Sequence, residues 1–216
     1  NISDIFARNN YLKEISIPNA ITEIPKFAFN DCESLSKISI ASSVTSIGIN
    51  AFERCINLKN VSIPPSITSI KAYTFMNCTS LTHVSIPSSV TSIENHSFAY
   101  CSSLEKIAIP FSVKSIGTKA FFECSKLIKM KIPSSVNKMK KSAFEGCLSL
   151  KEIIFPPTIK LIATCLCKNC SSLEQIIIPS SVTAVKDYAF MGCKFLSKIR
   201  IFSSEIEIGL NAFDEV

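Results

Sequence analysis

Ten cysteines are the residues of this 216-residue chain with the most chemistry in them. Cys165, Cys167 and Cys170 form a Cys-x-Cys-x-x-Cys cluster of a type that can clamp a metal, and an even cysteine count suits a disulfide framework. Spacing argues against both. Cys32, Cys55, Cys78, Cys101, Cys124, Cys147, Cys170 and Cys193 recur at steps of 23, one in each copy of a repeated unit. If the units stack, equivalent residues lie about 4.8 Å apart with parallel side-chain directions. That is poor bridging geometry. A free cysteine packs as a small hydrophobe, so the spacing predicts a ladder of buried free thiols. Within the cluster, Cys170 belongs to this ladder and Cys167 to a second repeated position, with no His and no second ligand cluster nearby in sequence. No metal is expected there.

The remaining reactive residue types do not converge. His83 falls on an outward strand position and His96 in a variable corner, so they are expected to diverge. Serine is abundant, but no Gly-x-Ser-x-Gly occurs, and most serines fall at a repeated Ser-Val corner where a hydroxyl satisfies turn backbone. Five scattered glycines cannot make a phosphate-binding loop. Asn-x-Ser/Thr occurs at Asn1, Asn60, Asn77, Asn95 and Asn169, as expected by chance where Ser and Thr are so common, although a eukaryotic secretory route could glycosylate some of them. No catalytic constellation and no cofactor site emerge, and an enzyme is not expected.

The elements that carry these residues follow from the repeat. Phe stands at 6, 29, 52, 75, 98, 121, 144, 190 and 213, with Cys167 in the one vacant place. Leu follows six residues later in every copy, from Leu12 to Leu196. Apolar residues at every third position, as in Phe52, Cys55 and Leu58, line one face of a tight 3₁₀-like or short α turn. An x-Ile-x-Ile stretch comes next, such as Ile38 and Ile40, and its period of two predicts a short strand with its Ile inward. Pro closes that strand at Pro64, Pro87, Pro110, Pro133 and Pro179, because it cannot donate to a ladder. A Ser-Val-x-x-Ile return piece, as in Ser89, Val90 and Ile93, leads into the next Phe. No copy can bury its own apolar side chains; stacked coils can, with a parallel sheet along one side. Cys167 lacks a ring, so its coil is expected to be the weak point, and Glu205 in a Val position leaves the last copy degenerate, with Ile206 placed to take the vacant core site.

The unit Cys78-x-x-Leu81-x-x-Val84-x-Ile86-Pro87-x-Ser89-Val90-x-x-Ile93, leading into Phe98, resembles the BspA-like leucine-rich repeats, and the resemblance runs from Phe6 to Phe213. It implies a mainly β repeat solenoid: a right-handed coil with a parallel sheet on one face and short strands or 3₁₀/α turns on the other. The expectation is one solenoid over residues 1–216, of about nine 23-residue repeats and part of a longer chain. The resemblance also implies a surface antigen or adhesin-like protein-binding module that attaches to host surface or matrix proteins, at the cell surface or secreted. It supplies no catalytic residues.

What remains is the surface. The second outward strand column changes from Ser16, Ser39, Ser62 and Ser85 to Ala108, Lys131, Ile154, Ile177 and Arg200, and the formal net charge of +6 lies wholly in the second half of the chain. A solvated face is the ordinary explanation of such a run. The sharper one is a basic surface with apolar residues beside it, suited to an acidic protein or acidic glycan. The partner-binding face is therefore placed at Lys106, Lys129, Lys131, Ile154, Ile177, Lys198 and Arg200. Nucleic acid fits poorly, since outward aromatics for base stacking are lacking. No apolar run reaches the roughly 18 residues of a spanning helix. The chain shows no basic stretch leading into an apolar run, and with a ladder of reduced thiols this keeps a cytoplasmic protein-interaction scaffold as the alternative.

Overall fold

The computed structural model describes residues 6–216. Its chain winds as a solenoid in which every strand pairs in parallel with its equivalent one coil away, a register step of 23 throughout, as in Asn60↔His83 and Gln175↔Lys198. One face carries the longer strands Glu14–Ile17, Lys37–Ile40, Asn60–Ser62, His83–Ser85, Lys129–Lys131, Glu152–Ile154, Gln175–Ile178 and Lys198–Ile201. The return face carries two-residue strands, from Glu23–Ile24 to Glu207–Ile208.

Period-two alternation makes the longer strands, and their burial follows it: in Lys129–Lys131 the outer residues are exposed and Met130 is fully buried. The strand ends where Pro stands, and the corner is closed by a turn whose last amide donates to the proline carbonyl, as Val90 does to Pro87 at 3.1 Å. Ala41 replaces Pro without loss of the corner, because Val44 donates to Ala41 in the same way.

The Phe-Cys-Leu segment is tight turns, and no helix is present among the described residues. The expected period of three is real, since Cys32 donates to Phe29 and Leu35 to Cys32. What prevents a helix is a left-handed residue on each side of the Phe: Phe27 and Asp31 (φ 59° and 57°), Asn50 and Arg54, Tyr73 and Asn77. Those conformations turn alternate amides outward to the next coil, where Phe29 donates to Ala51 and Asp31 to Glu53, both at 2.8 Å. The inter-coil bonds offset the backbone strain.

Three columns fill the interior. Phenylalanine rings stack face to face at 5.4–5.5 Å from Phe6 to Phe144, with planes within 10° of parallel. The Leu column from Leu35 to Leu173 and the ladder cysteines from Cys32 to Cys193 are fully buried. Each buried Phe or Leu contributes about 1.5–3 kcal/mol of transfer free energy. At the degenerate end, Ile206 packs against this core and Glu205 is exposed.

Candidate functional site

The strand face of the C-terminal half is a single four-stranded sheet running from Lys129 to Ile201. Its pairing sets two outward columns. One reads Lys129, Glu152, Gln175, Lys198. The other pairs Lys131 with Ile154 and Ile177 with Arg200; between the two pairs the register is set by Glu152↔Gln175 alone, and Ile154 and Ile177 line a shallow hollow there. Ile154 is 38% exposed and Ile177 48%, on a sheet whose inward Ile153 and Ile176 are buried. Of the seven residues expected on this face, Lys129, Lys131, Ile154, Ile177, Lys198 and Arg200 share the sheet. Lys106 does not: it is exposed, but lies in a segment that forms no strand.

Charge on the face is partly cancelled. Lys129 pairs with Glu152 at 2.5 Å, whereas Lys131, Lys198 and Arg200 have no ion-pair partner among the described residues. The run of lysines from Lys114 to Lys141 is divided by the coil geometry. Lys129 and Lys131 sit on the strand face, Lys138 on the return face in register with Ser115, and Lys119 on the outer turn 4.4 Å above the Phe122 ring.

Two hollows flank the sheet. One, of about 560 Å³, lies beside Lys151, Gln175, Lys198 and Phe195; the other, of about 550 Å³, lies beside Lys106 and is lined by Ile107, Ile109, Phe111 and Ile128. Phe111 (71% exposed) and Phe195 (68%) are rim residues that the strand columns do not predict. Their signal was a break in serine-rich columns: Phe111 stands where Ser88 and Ser134 do, and Phe195 where Ser149 and Ser172 do.

The remaining chemistry-bearing groups are used structurally. The ladder thiols donate to the carbonyl of the Phe-column residue in the preceding coil, as Cys55 does to Phe29 at 3.1 Å and Cys193 to Cys167 at 3.2 Å. Burial pushes the thiols of Cys32, Cys55, Cys78, Cys101, Cys124, Cys147 and Cys193 up, that of Cys124 to about 12, so they stay protonated and poorly nucleophilic, whereas at Cys170 hydrogen bonds with the Cys147 and Cys167 thiols outweigh burial and lower its pKa. All ten cysteines are buried and free. Cys167 lies in the ring column, and Cys165 holds a left-handed turn position (φ 54°). Among the described residues no three His, Cys, Asp or Glu side chains are gathered as metal ligands. His83 is exposed on the strand face; His96 stacks on Tyr73 at 4.8 Å on the outer turn, where desolvation and then Lys119 lower its pKa. Among the described residues no helix is long and apolar enough to cross a membrane.

Comparison with known proteins gives this architecture a family. The profile of the BspA type leucine rich repeat region, in six copies, matches residues 2–128 and 91–216. A solved leucine-rich repeat protein from Bacteroides ovatus superposes with a TM-score of 0.76 at 28% identity, over 91% of this chain and 48% of that one. The chain thus spans about half the length of that protein. The T. pallidum leucine-rich repeat protein (TM-score 0.54, 24% identity, 94% of this chain and 75% of that one) shares the fold. So does the pneumococcal vaccine antigen PcpA (0.51, 18%, 92% and 68%). No curated protein matches the sequence.

Proposed function

The chain belongs to the BspA-type leucine-rich repeat family, and from that premise we propose that it is a surface-antigen or adhesin-like module that attaches to a host surface or matrix protein through its C-terminal strand face. Repeat proteins of this family generally bind and do not catalyse. The observation that carries the choice of face is the column Lys131–Ile154–Ile177–Arg200. It presents exposed apolar side chains beside cations without ion-pair partners among the described residues on a parallel sheet, a combination suited to an acidic protein surface or an acidic glycan. Placement at the cell surface, or secretion, belongs to the same proposal. It is supported by the family and by a neighbour of this fold that is described as a vaccine antigen.

The test replaces Lys129, Lys131, Lys198 and Arg200 with Ser and measures binding to immobilised matrix proteins and to a sulfated glycan at two salt concentrations. Weaker binding with a shallower salt dependence is expected. Unchanged affinity and salt dependence would move the site to another surface. One observation favours a second reading, an intracellular interaction scaffold: ten buried free thiols suit a reducing compartment.

A further inference from the structure

Three repeated positions of the solenoid surface turn apolar at the same place. Phe111 stands where the coils on either side have Ser88 and Ser134, Ile128 where they have Glu105 and Lys151, and Ala108 where they have Ser85 and Lys131. All three side chains are exposed, so none of the changes serves the core. Lys106–Ile109, which carries Ala108, alternates as its neighbours do but forms no strand. Unrelated surface changes would scatter along the coils. These three converge, since Ala108, Phe111 and Ile128 line one hollow of about 550 Å³.

That volume falls within the ordinary range for ligand pockets. Buried Ile109 and Pro133 add to its apolar lining. The charged side chains that line it are Lys106, Lys129 and Lys131, all exposed, and no carboxylate is among them. Lys129 is shared with Glu152, while Lys106 and Lys131 have no ion pair among the described residues. The hollow thus combines apolar walls with two free ammonium groups in solvent.

We propose that it binds a small amphiphile, a single aliphatic chain that ends in a carboxylate. The chain covers Ala108, Phe111 and Ile128 and takes their apolar surface out of water. Its carboxylate stays at the solvent edge beside the exposed lysines, so neither charge has to be buried. An acidic sugar fits this spot worse, because its hydroxyls would lose water against walls that offer no hydrogen-bond partner. A basic amphiphile is repelled by the lysines. The proposal goes beyond a protein or glycan partner on the wider strand face and does not depend on one.

The experiment titrates the full chain by calorimetry with sodium decanoate below its micelle concentration, and with 1-decanol as the uncharged chain. Decanoate is expected to bind at a single site. Phe111→Ser with Ile128→Ser, both exposed positions, should lower its affinity about tenfold, as the loss of two apolar contacts predicts. Ala108→Gln puts a longer polar side chain into the hollow and should weaken decanoate and 1-decanol alike. Lys106→Met keeps the apolar stem and removes the charge, so decanoate affinity should fall about three- to fivefold while that of 1-decanol holds. Unfolding midpoints near that of the parent show that the variants fold. Absence of decanoate binding, binding that Phe111→Ser with Ile128→Ser leaves unchanged, or an equal loss for the alcohol in Lys106→Met would each overturn the proposal. Capture of anionic phospholipid vesicles by a chain that ignores free decanoate would overturn it too, and make the hollow a membrane contact. No variant here alters Lys129, Lys131, Lys198 or Arg200, so this site and the wider face can fail separately.

Discussion

The ring of Phe155 lies edge-on to that of Phe190, with centroids 6.3 Å apart and planes at 71°. Phe155 occupies a strand position that holds Ile63, Ile132 and Ile178 in other coils, and it is 6% exposed. Between Phe144 and Phe190 the ring column contains Cys167, and the face-to-face stack stops there. A strand-side aromatic thus reaches into the space that a missing column ring leaves. Two larger side chains accompany the missing ring: Phe155, twelve residues upstream, and fully buried Leu166, which stands where Ala143 and Ala189 do.

This relationship predicts coupling. Cys167→Phe alone introduces a ring where Phe155 already lies and should cost about 1–3 kcal/mol by overpacking. Phe155→Ile alone opens a cavity and should also destabilise. Together the two changes restore the column ring and the strand isoleucine, with buried Leu166 still standing where the other coils have Ala, Thr or Ser, so the double variant should be more stable than the sum of its parts by at least about 1 kcal/mol. Denaturant unfolding of the four proteins checks this; additive effects would mean that the two positions do not share space.

The ring column itself is testable at its centre and its end. Phe121 is fully buried between Phe98 and Phe144, and Phe121→Ala should cost about 3–5 kcal/mol. Phe213 stacks on Phe190 alone and is only partly buried, so Phe213→Ala should cost clearly less. Equal losses in thermal or denaturant unfolding would show that stacking on two neighbours adds nothing.

The Phe, Leu and Cys columns were legible because each coil offers the same environment at the same step, and a repeated need leaves a repeated residue. Departures from the step divide into two kinds. Phe111 and Phe195 break serine columns and can be seen in the sequence as exposed aromatics. The unpaired stretch Lys106–Ile109 cannot, since its alternation is that of a strand, and whether a strand pairs depends on the coils on each side. The left-handed turn positions are hidden only in part: Asn50, Asn77, Gly146 and Gly192 carry the usual turn signal, but Arg54, Tyr73 and Lys119 occupy equivalent places without it. Compensation of Cys167 by Phe155 needs three dimensions, as the two residues belong to different columns.

The thiol ladder should make stability pH-dependent on the alkaline side. Cys124 titrates at about 12 in the folded chain against its usual 9.0, so the folded state holds its proton more tightly. That contribution is fully present below pH 9.0 and is lost as pH rises toward about 12. Unfolding free energy measured across this window should fall with pH, and less steeply in Cys124→Ala. In the folded protein a thiol reagent at mildly alkaline pH should label few of the ten cysteines, and after unfolding without reductant most of them. Rapid labelling of the folded chain would contradict the burial that raises their pKa.

Glu152 offers a way to alter the charge of the strand face without removing a cation. It holds Lys129 at 2.5 Å, yet the Lys129 side chain is 57% exposed and that of Glu152 33%. A pair so open to solvent contributes at most about 1 kcal/mol, so Glu152→Gln should change stability by no more than that. Its effect on binding should be larger. Releasing Lys129 adds an unpaired cation to the column that ends in Lys198 and brings it to the apolar pair Ile154 and Ile177 on the neighbouring column. An acidic partner on this face should bind Glu152→Gln more tightly at low salt, and the advantage should shrink as salt rises, since exposed charges are screened within about 10 Å at 0.1 M. Affinity for a sulfated glycan, measured at low and high salt in both proteins, decides the matter. Tighter binding at both salt levels alike would point to a packing effect of the substitution, and no change at either would mean that the anion does not meet this column.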